Sequence, residues 1–307
     1  MRPAVTTPLR ATVAHWSRIG EVLRSRDSLY DMTEVVLLTV AGFMGGTFGS
    51  MVGLGGGIFV VPVLVLFLGV PIHGAVAASL LAVVATSTAG SINYIRRGCA
   101  NLRLGASVET ALALGALTGG VVGALLNREA LSAVFGGVMI VVSLYVWVRR
   151  NASAPRPLED EGLGRLGAAY YDPSLRCEVG YRVRRLPFGL LLGLVAGNVS
   201  GLLGVGGGFL TVPAMRLAMG VPIRASVATS TLMLGVTACS GALVYLARGM
   251  VDPVVTVPVV LGVVVGASLG SRLASRVRSS VLAAVMAAVL FAFAVQMLLA
   301  AGGISLR

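Results

Sequence analysis

Two glycine-rich segments hold the residues whose types and spacing are best suited to binding a charged molecule. Residues 53–62 read GLGGGIFVVP, and residues 204–213 read GVGGGFLTVP. Three consecutive glycines destabilise a helix, by about 1 kcal/mol each relative to alanine, so we expect the chain to break there and a helix to begin directly afterwards. The first backbone N–H groups of such a helix have no intrahelical partner and lie at the positive end of its dipole. Helix ends of this kind bind anions.

The two glycine triplets therefore supply candidate substrate-binding residues. They are Gly55, Gly56, Gly57, Gly206, Gly207 and Gly208. The alternative is that these glycines only let helices pack closely, as small residues do in membranes. The repetition at matched positions, with a proline at the same distance after each triplet, favours a site in which both helix ends face one anion.

Polar side chains in the apolar segments are the next candidates. Ser79 and Ser230 occupy matched positions after the two glycine motifs, and Thr229 adds a neighbouring hydroxyl. Asn198 lies shortly before the second motif and offers an amide. Hydroxyl and amide donors suit the oxygens of a small oxyanion. The alternative is that such residues bond backbone carbonyls or hold helices together.

Charged residues inside the apolar segments are few. Arg216 follows the second motif and is a candidate for substrate attraction, although an arginine near the end of a short segment can also extend to the membrane interface. Glu109 would serve proton coupling or pair with Arg103, and we favour the pair. A cation carrier needs carboxylates near the membrane midplane, whereas Glu109 and Asp252 lie near helix ends. These residues favour a small anion as substrate.

The composition is that of a membrane protein. Hydrophobic residues make up 56% of the 307-residue chain and charged residues only 12%, against about 25% charged in soluble domains. The apolar stretches are continuous and lack the alternation of a β-barrel, which predicts an all-α polytopic membrane fold. We expect about eight membrane-spanning helices, near 34–50, 75–95, 104–126, 131–148, 187–203, 225–247, 254–274 and 280–301.

Internal repetition organises the chain. Shifting the sequence by 151 positions aligns residues 53–98 with 204–249 without a gap, and 20 of the 46 positions are identical. We predict two homologous repeats, each with four helices and a short re-entrant or broken segment at the glycines. The expected domains are an N-terminal tail (1–33), two transmembrane repeats (34–148 and 187–301), a polar linker with little core (149–186), and a C-terminal tail (302–307).

Repeats with helices broken at corresponding positions are typical of secondary transporters, whose substrate lies between the two halves. The doubled pattern GLGGGIFVVPVL, GVPIHGAVAASLL and GLLGVGGGFLTVPAM, GVPIRASVATSTLM closely resembles the TauE/SafE family over residues 34–300. This resemblance implies a multi-pass transporter of the bacterial inner membrane that carries sulfite or an organosulfonate. The linker is long for this resemblance, and Arg224 replaces His73 at the matched position.

Two orientations of the repeats are open. If the glycine segments do not cross, the chain has eight crossings and both termini and the linker share one side. That side collects about 18 of the 24 arginines and is therefore cytoplasmic by the positive-inside rule. If all ten segments cross, the halves are inverted and the N-terminus lies outside. We favour eight crossings.

Other function classes lack support in the sequence. Three cysteines without CxxC spacing and two histidines provide neither a metal cluster nor a catalytic residue set, and GLGGG lacks the context of a dinucleotide site. We expect no enzyme activity, no cofactor and no nucleic-acid partner. The expected partners are a small anion and the lipid bilayer. A coupling ion (proton or sodium) and a homo-oligomer are compatible with the sequence, and an anion channel or a carrier of carboxylates or metal cations is the alternative function.

Overall fold

The structure is a computed structural model that describes residues 32–52, 55–96, 98–149, 166–172, 177–273 and 279–302. The tails at 1–31 and 303–307 and the linker segment 150–165 lie outside the described residues. The chain divides into two compact units, 1–37 and 38–307. The first contributes only the start of one helix to the described residues, and the packing reported below lies within the second.

The described residues form ten α-helices and one two-stranded sheet. The first five helices are α1 (Met32–Val52), α2 (Gly57–Leu66), α3 (Ile72–Arg96), α4 (Leu102–Leu125) and α5 (Arg128–Arg149). The antiparallel strands β1 (Ala168–Asp172) and β2 (Cys177–Tyr181) follow. The last five helices are α6 (Leu186–Leu203), α7 (Gly208–Ala218), α8 (Ile223–Ala247), α9 (Pro253–Leu273) and α10 (Ser279–Ala301).

The predicted all-α polytopic membrane fold is confirmed. Seven of the helices in the described part of the chain are long and apolar enough to cross a membrane. They are α1, α3, α4, α5, α6, α8 and α9, and the segment Ala287–Ala301 of α10 is a shorter apolar helix. The bundle is held by a continuous apolar core that includes residues of α2, α3, α5 and α10.

Four of the five helices in each set begin at matched positions. The first residues of α2 and α7 are Gly57 and Gly208, which are 151 positions apart, and α3/α8, α4/α9 and α5/α10 begin at the same offset. Each set has four long helices and one short helix. The short helices α2 and α7 have 10 and 11 residues. At 1.5 Å per residue they are about 15–17 Å long, about half the hydrocarbon thickness of a bilayer.

The helices break at the glycine triplets because the backbone there turns through the left-handed region. Gly56, which precedes α2, has a φ of 82°, and Gly207, which precedes α7, has a φ of 78°. Side chains with a Cβ rarely adopt this conformation. The glycines therefore end one helix and let the chain reverse into the next.

The chain reverses at each break to form a helical hairpin. A Cβ on Gly45 of α1 would lie 2.5 Å from Cγ2 of Val60 in α2, and one on Gly49 would lie 2.0 Å from the Cα of Gly56. Earlier residues of α1 thus meet later residues of α2, so the two helices are antiparallel. In the second set, Gly189 meets Met219 and Gly207 meets Ser200, which gives α6 and α7 the same arrangement.

Contacts between the sets show that matched helices run in opposite directions. Helices α3 and α8 are antiparallel, because Gly90 meets Thr231 while Leu80 meets Gly241. Helices α5 and α10 are antiparallel as well, because Ser143 Oγ donates to the carbonyl of Ala287 (2.8 Å) and Gly136 meets Leu298. The second set is therefore inverted relative to the first.

The favoured eight-crossing arrangement, in which both halves have the same orientation, is wrong on this point. Ser79 of α3 meets Gly57 and Thr86 meets Gly55, so α3, like α1, runs antiparallel to the chain that enters α2, and α1 and α3 are parallel. Eight crossings with a non-crossing glycine segment require α1 and α3 to be antiparallel. Inversion does not require ten full crossings. Each break lies beside the middle of a long helix: Thr86 of α3, for example, donates to the carbonyl of Gly55 (2.9 Å).

Inversion places the loops after α3, α5, α7 and α9 on one side, which we call side B. These loops and the adjoining helix ends contain 16 of the 24 arginines, so the positive-inside rule predicts that side B is cytoplasmic. The end of α10 then lies on the opposite side. The cytoplasmic linker stays a prediction, and the N-terminal tail lies outside the described residues.

A reporter fusion tests this arrangement. Alkaline phosphatase fused after residue 307 is expected to be active in a bacterial host, and a fluorescent protein fused there to be dark, because inverted halves with a cytoplasmic side B place the end of α10 on the outer side. Fusions after residue 160, in the linker, should give the reverse pattern and serve as the control. A fluorescent C-terminal fusion would contradict inverted halves.

The linker contains a packed β-hairpin, which corrects the expectation of little core. Tyr170 and Tyr181 of the hairpin are buried in a cluster that includes Leu104 of α4 and Met215 of α7. Asn101, at the start of α4, donates through Nδ2 to the hydroxyl of Tyr181 (3.1 Å). Burial raises the pKa of the Tyr181 phenol, so the hydroxyl stays protonated. The hairpin covers the side-B ends of α4 and α7.

Candidate functional site

The two helix breaks lie against each other. Ser79 Oγ of α3 donates to the carbonyl of Gly57 in the first break (3.3 Å) and to that of Gly204 in the second (2.7 Å). Leu234 of α8 lies 3.2 Å from the Cβ position of both Gly55 and Gly206. The structure thus brings the two glycine triplets together, with both short helices beginning at this point.

The space between the breaks is closed. All six glycines of the triplets are buried. A Cβ on Gly57 would lie 2.5 Å from the carbonyl oxygen of Gly204, and one on Gly206 would lie 2.5 Å from Cγ1 of Val83. These glycines therefore pack closely, which was the alternative to anion binding. Close packing and the proposed anion binding involve the same residues.

Ser230, the matched partner of Ser79, lies beside the start of α7. Its Oγ is 2.6 Å from Oγ1 of Thr211, and Thr211 Oγ1 is 3.4 Å from the carbonyl of Gly208. Both hydroxyls are buried. Thr211 was missed by sequence reasoning, because the matched residue of the first motif is Val60 and the comparison of repeats directed attention only to shared polar positions.

Hydroxyls of α3 also bond carbonyls of the first break. Thr86 Oγ1 lies 2.9 Å from the carbonyl of Gly55. Further along α3, Ser87 Oγ donates to the carbonyl of Thr231 in α8 (2.6 Å) and so links the two helix sets. The Thr86 hydroxyl thus reaches a carbonyl at a helix break, where intrahelical partners are missing, whereas the Thr231 carbonyl belongs to the continuous helix α8.

Three predicted site residues lie away from the breaks. Thr229 Oγ1 accepts a hydrogen bond from the backbone N–H of Asn101 (3.0 Å), at the side-B end of α8. Asn198 donates through Nδ2 to Oγ1 of Thr118 (3.1 Å), on the contact between α6 and α4. Arg216 lies in the last turn of α7, eight residues or about 12 Å along the helix from Gly208, where a cation is favoured by the helix dipole.

Glu109 makes a different contact from the one predicted. Its Oε1 accepts a hydrogen bond from Thr237 Oγ1 of α8 (2.9 Å), and its Oε2 is buried and has no hydrogen-bond partner among the described residues. The predicted pair with Arg103 is therefore wrong: Arg103 is exposed at the start of α4, whereas the Glu109 carboxyl points into the contact between α4 and α8.

Comparisons with known proteins identify the relatives of this chain. The family model described as "Sulfite exporter TauE/SafE" matches residues 38–297. The probable membrane transporter protein YunE of Bacillus subtilis is 30% identical over 234 residues, which are 74% of this chain and 84% of YunE. A probable membrane transporter protein of Xylella fastidiosa is 28% identical over 229 residues, covering 74% of this chain and 80% of that protein. No solved structure matches the chain with significance.

Proposed function

Because this chain belongs to the sulfite exporter TauE/SafE family, and is by that membership a multi-pass membrane transporter, we propose that it is a secondary carrier of a small anion. Sulfite or an organosulfonate is the proposed substrate, and the proposed site lies between the two glycine breaks. The proposed location is the inner (plasma) membrane of a bacterium, since relatives come from the bacteria Bacillus and Xylella.

The observation that supports an anion is the meeting of two helix N-termini in the protein interior. Helix α2 begins at Gly57 and α7 at Gly208, and their breaks are joined through Ser79. Each N-terminus carries roughly half a positive elementary charge. Two such ends facing one interior point favour an anion and disfavour a cation.

The donors around the breaks suit a small oxyanion. Backbone N–H groups can each donate one hydrogen bond to a sulfite or sulfonate oxygen. One hydroxyl of the Thr211–Ser230 pair donates to the other, which leaves the proton of the second hydroxyl to donate one more. Of the two carboxylates that the sequence singles out, Glu109 accepts a hydrogen bond from Thr237 Oγ1, and Asp252, which precedes α9, accepts one from the backbone N–H of Val254 (3.1 Å). Neither contact is at the breaks.

The inverted halves offer a way to expose this site alternately to the two sides. Inverted repeats that rock against each other around a fixed site are a known transporter mechanism. In the closed state described here, Ser79 has one acceptor in each half. Its hydroxyl can keep the bond to Gly57 when the halves separate at Gly204, so the movement leaves no buried hydroxyl unpaired.

A binding screen tests the proposed substrate class. Purified protein is melted with sulfite, thiosulfate, sulfoacetate, simple carboxylates or divalent metal cations. A ligand of the folded state at a hundredfold excess over its Kd should stabilise the protein by about 2.7 kcal/mol. We expect sulfite or an organosulfonate to raise the melting temperature. Stabilisation by a divalent cation alone would overturn the proposal.

Glu109 is the residue that we propose to carry a coupling proton, if transport is proton-driven. The helices packed against α4 are α6 and α8, and neither has a charged residue between 186 and 203 or between 225 and 247. Glu109→Gln keeps an acceptor for Thr237 but cannot titrate. It should abolish uptake driven by a pH gradient and leave exchange without a gradient. Glu129→Gln, at an exposed position of α5, is the control, and gradient-driven uptake by Glu109→Gln would exclude this role.

A further inference from the structure

The two glycine breaks differ in their hydroxyl groups. Three positions around the second break carry a hydroxyl, whereas only one of the three matched positions around the first break does. The matched pairs, each 151 positions apart, are Ser200 and Gly49, Thr211 and Val60, and Ser230 and Ser79. At these three positions the second break therefore has two hydroxyls that the first break lacks, although the backbones turn in the same way.

Ser200 is the residue of this set whose hydroxyl is unused. It is fully buried, with 0% of its surface exposed, and its Oγ has no hydrogen-bond partner within the described part of the chain. By contrast, the hydroxyls of Thr211 and Ser230 bond each other, and Ser79 bonds two carbonyls. A buried hydroxyl without a partner destabilises a folded protein. Its presence therefore suggests a function that offsets this cost.

The unused hydroxyl lies at the start of α7. A Cβ on Gly207, the residue that precedes α7, would be 3.4 Å from Ser200 Oγ and 3.2 Å from its Cβ. Leu210 and Thr211 donate their N–H groups to the carbonyl of Gly207 (3.1 and 3.0 Å), so only the N–H groups of Gly208 and Phe209 lack an intrahelical acceptor. The unpaired O–H of Ser200 lies beside this helix start. Together they form the donor set that an anion oxygen requires.

The first break cannot offer the same hydroxyl. Gly49 takes the place of Ser200 there, and a Cβ on Gly49 would lie 2.0 Å from the Cα of Gly56. A serine does not fit at that position without displacing the backbone. The difference between the halves is therefore built into the packing of α1 and α2.

We propose that the transported anion binds asymmetrically, at the N-terminus of α7 in the second half, and that Ser200 Oγ–H donates a hydrogen bond to one of its oxygens. The substrate class is a small oxyanion, sulfite or a sulfonate, whose oxygens accept from Ser200 and from the first N–H groups of α7. This inference rests on the proposed anion transport. It adds Ser200 as an anion-binding residue that the comparison of the repeats does not indicate.

Sulfite binding to purified Ser200→Ala protein tests the inference. Hydrogen bonds to charged groups contribute about 1.5–3 kcal/mol, so we expect the Kd for sulfite to rise about tenfold or more. The matched control is Thr256→Val, because Thr256 Oγ1 is also buried without a partner in the described residues but lies in α9. The control should bind sulfite as the wild type does.

The ligand-free melting temperature provides a second readout. Ser200→Ala removes an unpaired hydroxyl and leaves almost the same volume, so the ligand-free variant should melt at the wild-type temperature or above it. Weaker sulfite binding without a lower melting temperature would identify Ser200 as an anion-binding residue and not a structural one. Unchanged sulfite affinity in Ser200→Ala would overturn the inference while the proposed function stands. A wild-type protein that binds no sulfite or sulfonate would overturn both.

Discussion

Replacing Gly57 with alanine is expected to abolish transport. The added Cβ would lie 2.5 Å from the carbonyl oxygen of Gly204, 2.8 Å from Ser79 Oγ and 2.9 Å from Cγ2 of Val83. Real Cβ atoms essentially never approach other atoms so closely, and the nearest of the three is backbone of the other helix set. The two breaks must therefore move apart, which separates the helix ends that we propose to hold the anion.

The measurement is sulfite flux into proteoliposomes containing equal amounts of folded protein. Gly137→Ala in α5 is the matched control, because nothing lies within 4 Å of a Cβ at that position and alanine favours a helix by about 1 kcal/mol over glycine. The control should transport at the wild-type rate. Normal flux through Gly57→Ala would mean that the convergence of the breaks has no role in transport.

The second large effect is expected on stability, at the contact between α4 and α6. These parallel helices approach so closely that a Cβ on Gly197 would lie 2.1 Å from the carbonyl oxygen of Leu112, and one on Gly119 would lie 1.9 Å from that of Asn198. Helix association in membranes depends on such close packing, because lipid removes the hydrophobic driving force between helices. Gly197→Leu should therefore prevent α4 and α6 from packing.

Overpacking of a core typically costs 1–3 kcal/mol of stability. A leucine at position 197 would press against the backbone of Leu112 in α4, so its cost should exceed that range. We expect Gly197→Leu protein to aggregate or to melt well below the wild type in detergent, as measured by size-exclusion chromatography and thermal unfolding. Gly74→Ala is a mild comparison, because its nearest neighbour would be 3.8 Å away. A Gly197→Leu protein as stable as the wild type would contradict the packing described here.

The helix breaks and their matching could be predicted from sequence because glycine has a strong local effect. Gly56 and Gly207 turn through a region of φ that other residues avoid, so the triplets specify a break wherever they occur. The offset of 151 positions then predicts that the second break repeats the first. Helix lengths follow from the apolar stretches between polar loops.

The relative direction of the halves could not be predicted from hydropathy. Apolar length does not tell whether α1 ends at a membrane surface or at mid-depth, and the count of crossings depends on that point. The arginine count favoured halves of the same orientation, because that arrangement places the five arginines of the N-terminal tail on the same side as those of the linker. Contacts such as those of Gly45 with Val60 determine the direction of α2, and they require the folded chain.

The asymmetry of the site was also beyond the sequence comparison. Matching the repeats emphasises positions that agree, such as Ser79 and Ser230, and passes over Ser200, which faces a glycine in the alignment. Burial without a partner is a property of the folded protein and distinguishes Ser200 from the other serines. The contact of Glu109 with Thr237 also depends on the folded chain, because the two residues are 128 positions apart in the sequence.

Whether this chain is a carrier of a small anion is tested by measuring sulfite flux into proteoliposomes as a function of sulfite concentration. A carrier with one closed site between two helix breaks should saturate with sulfite, and an organosulfonate such as sulfoacetate should compete. Flux that rises linearly with concentration and is unaffected by sulfoacetate would contradict the account and indicate an open anion pore.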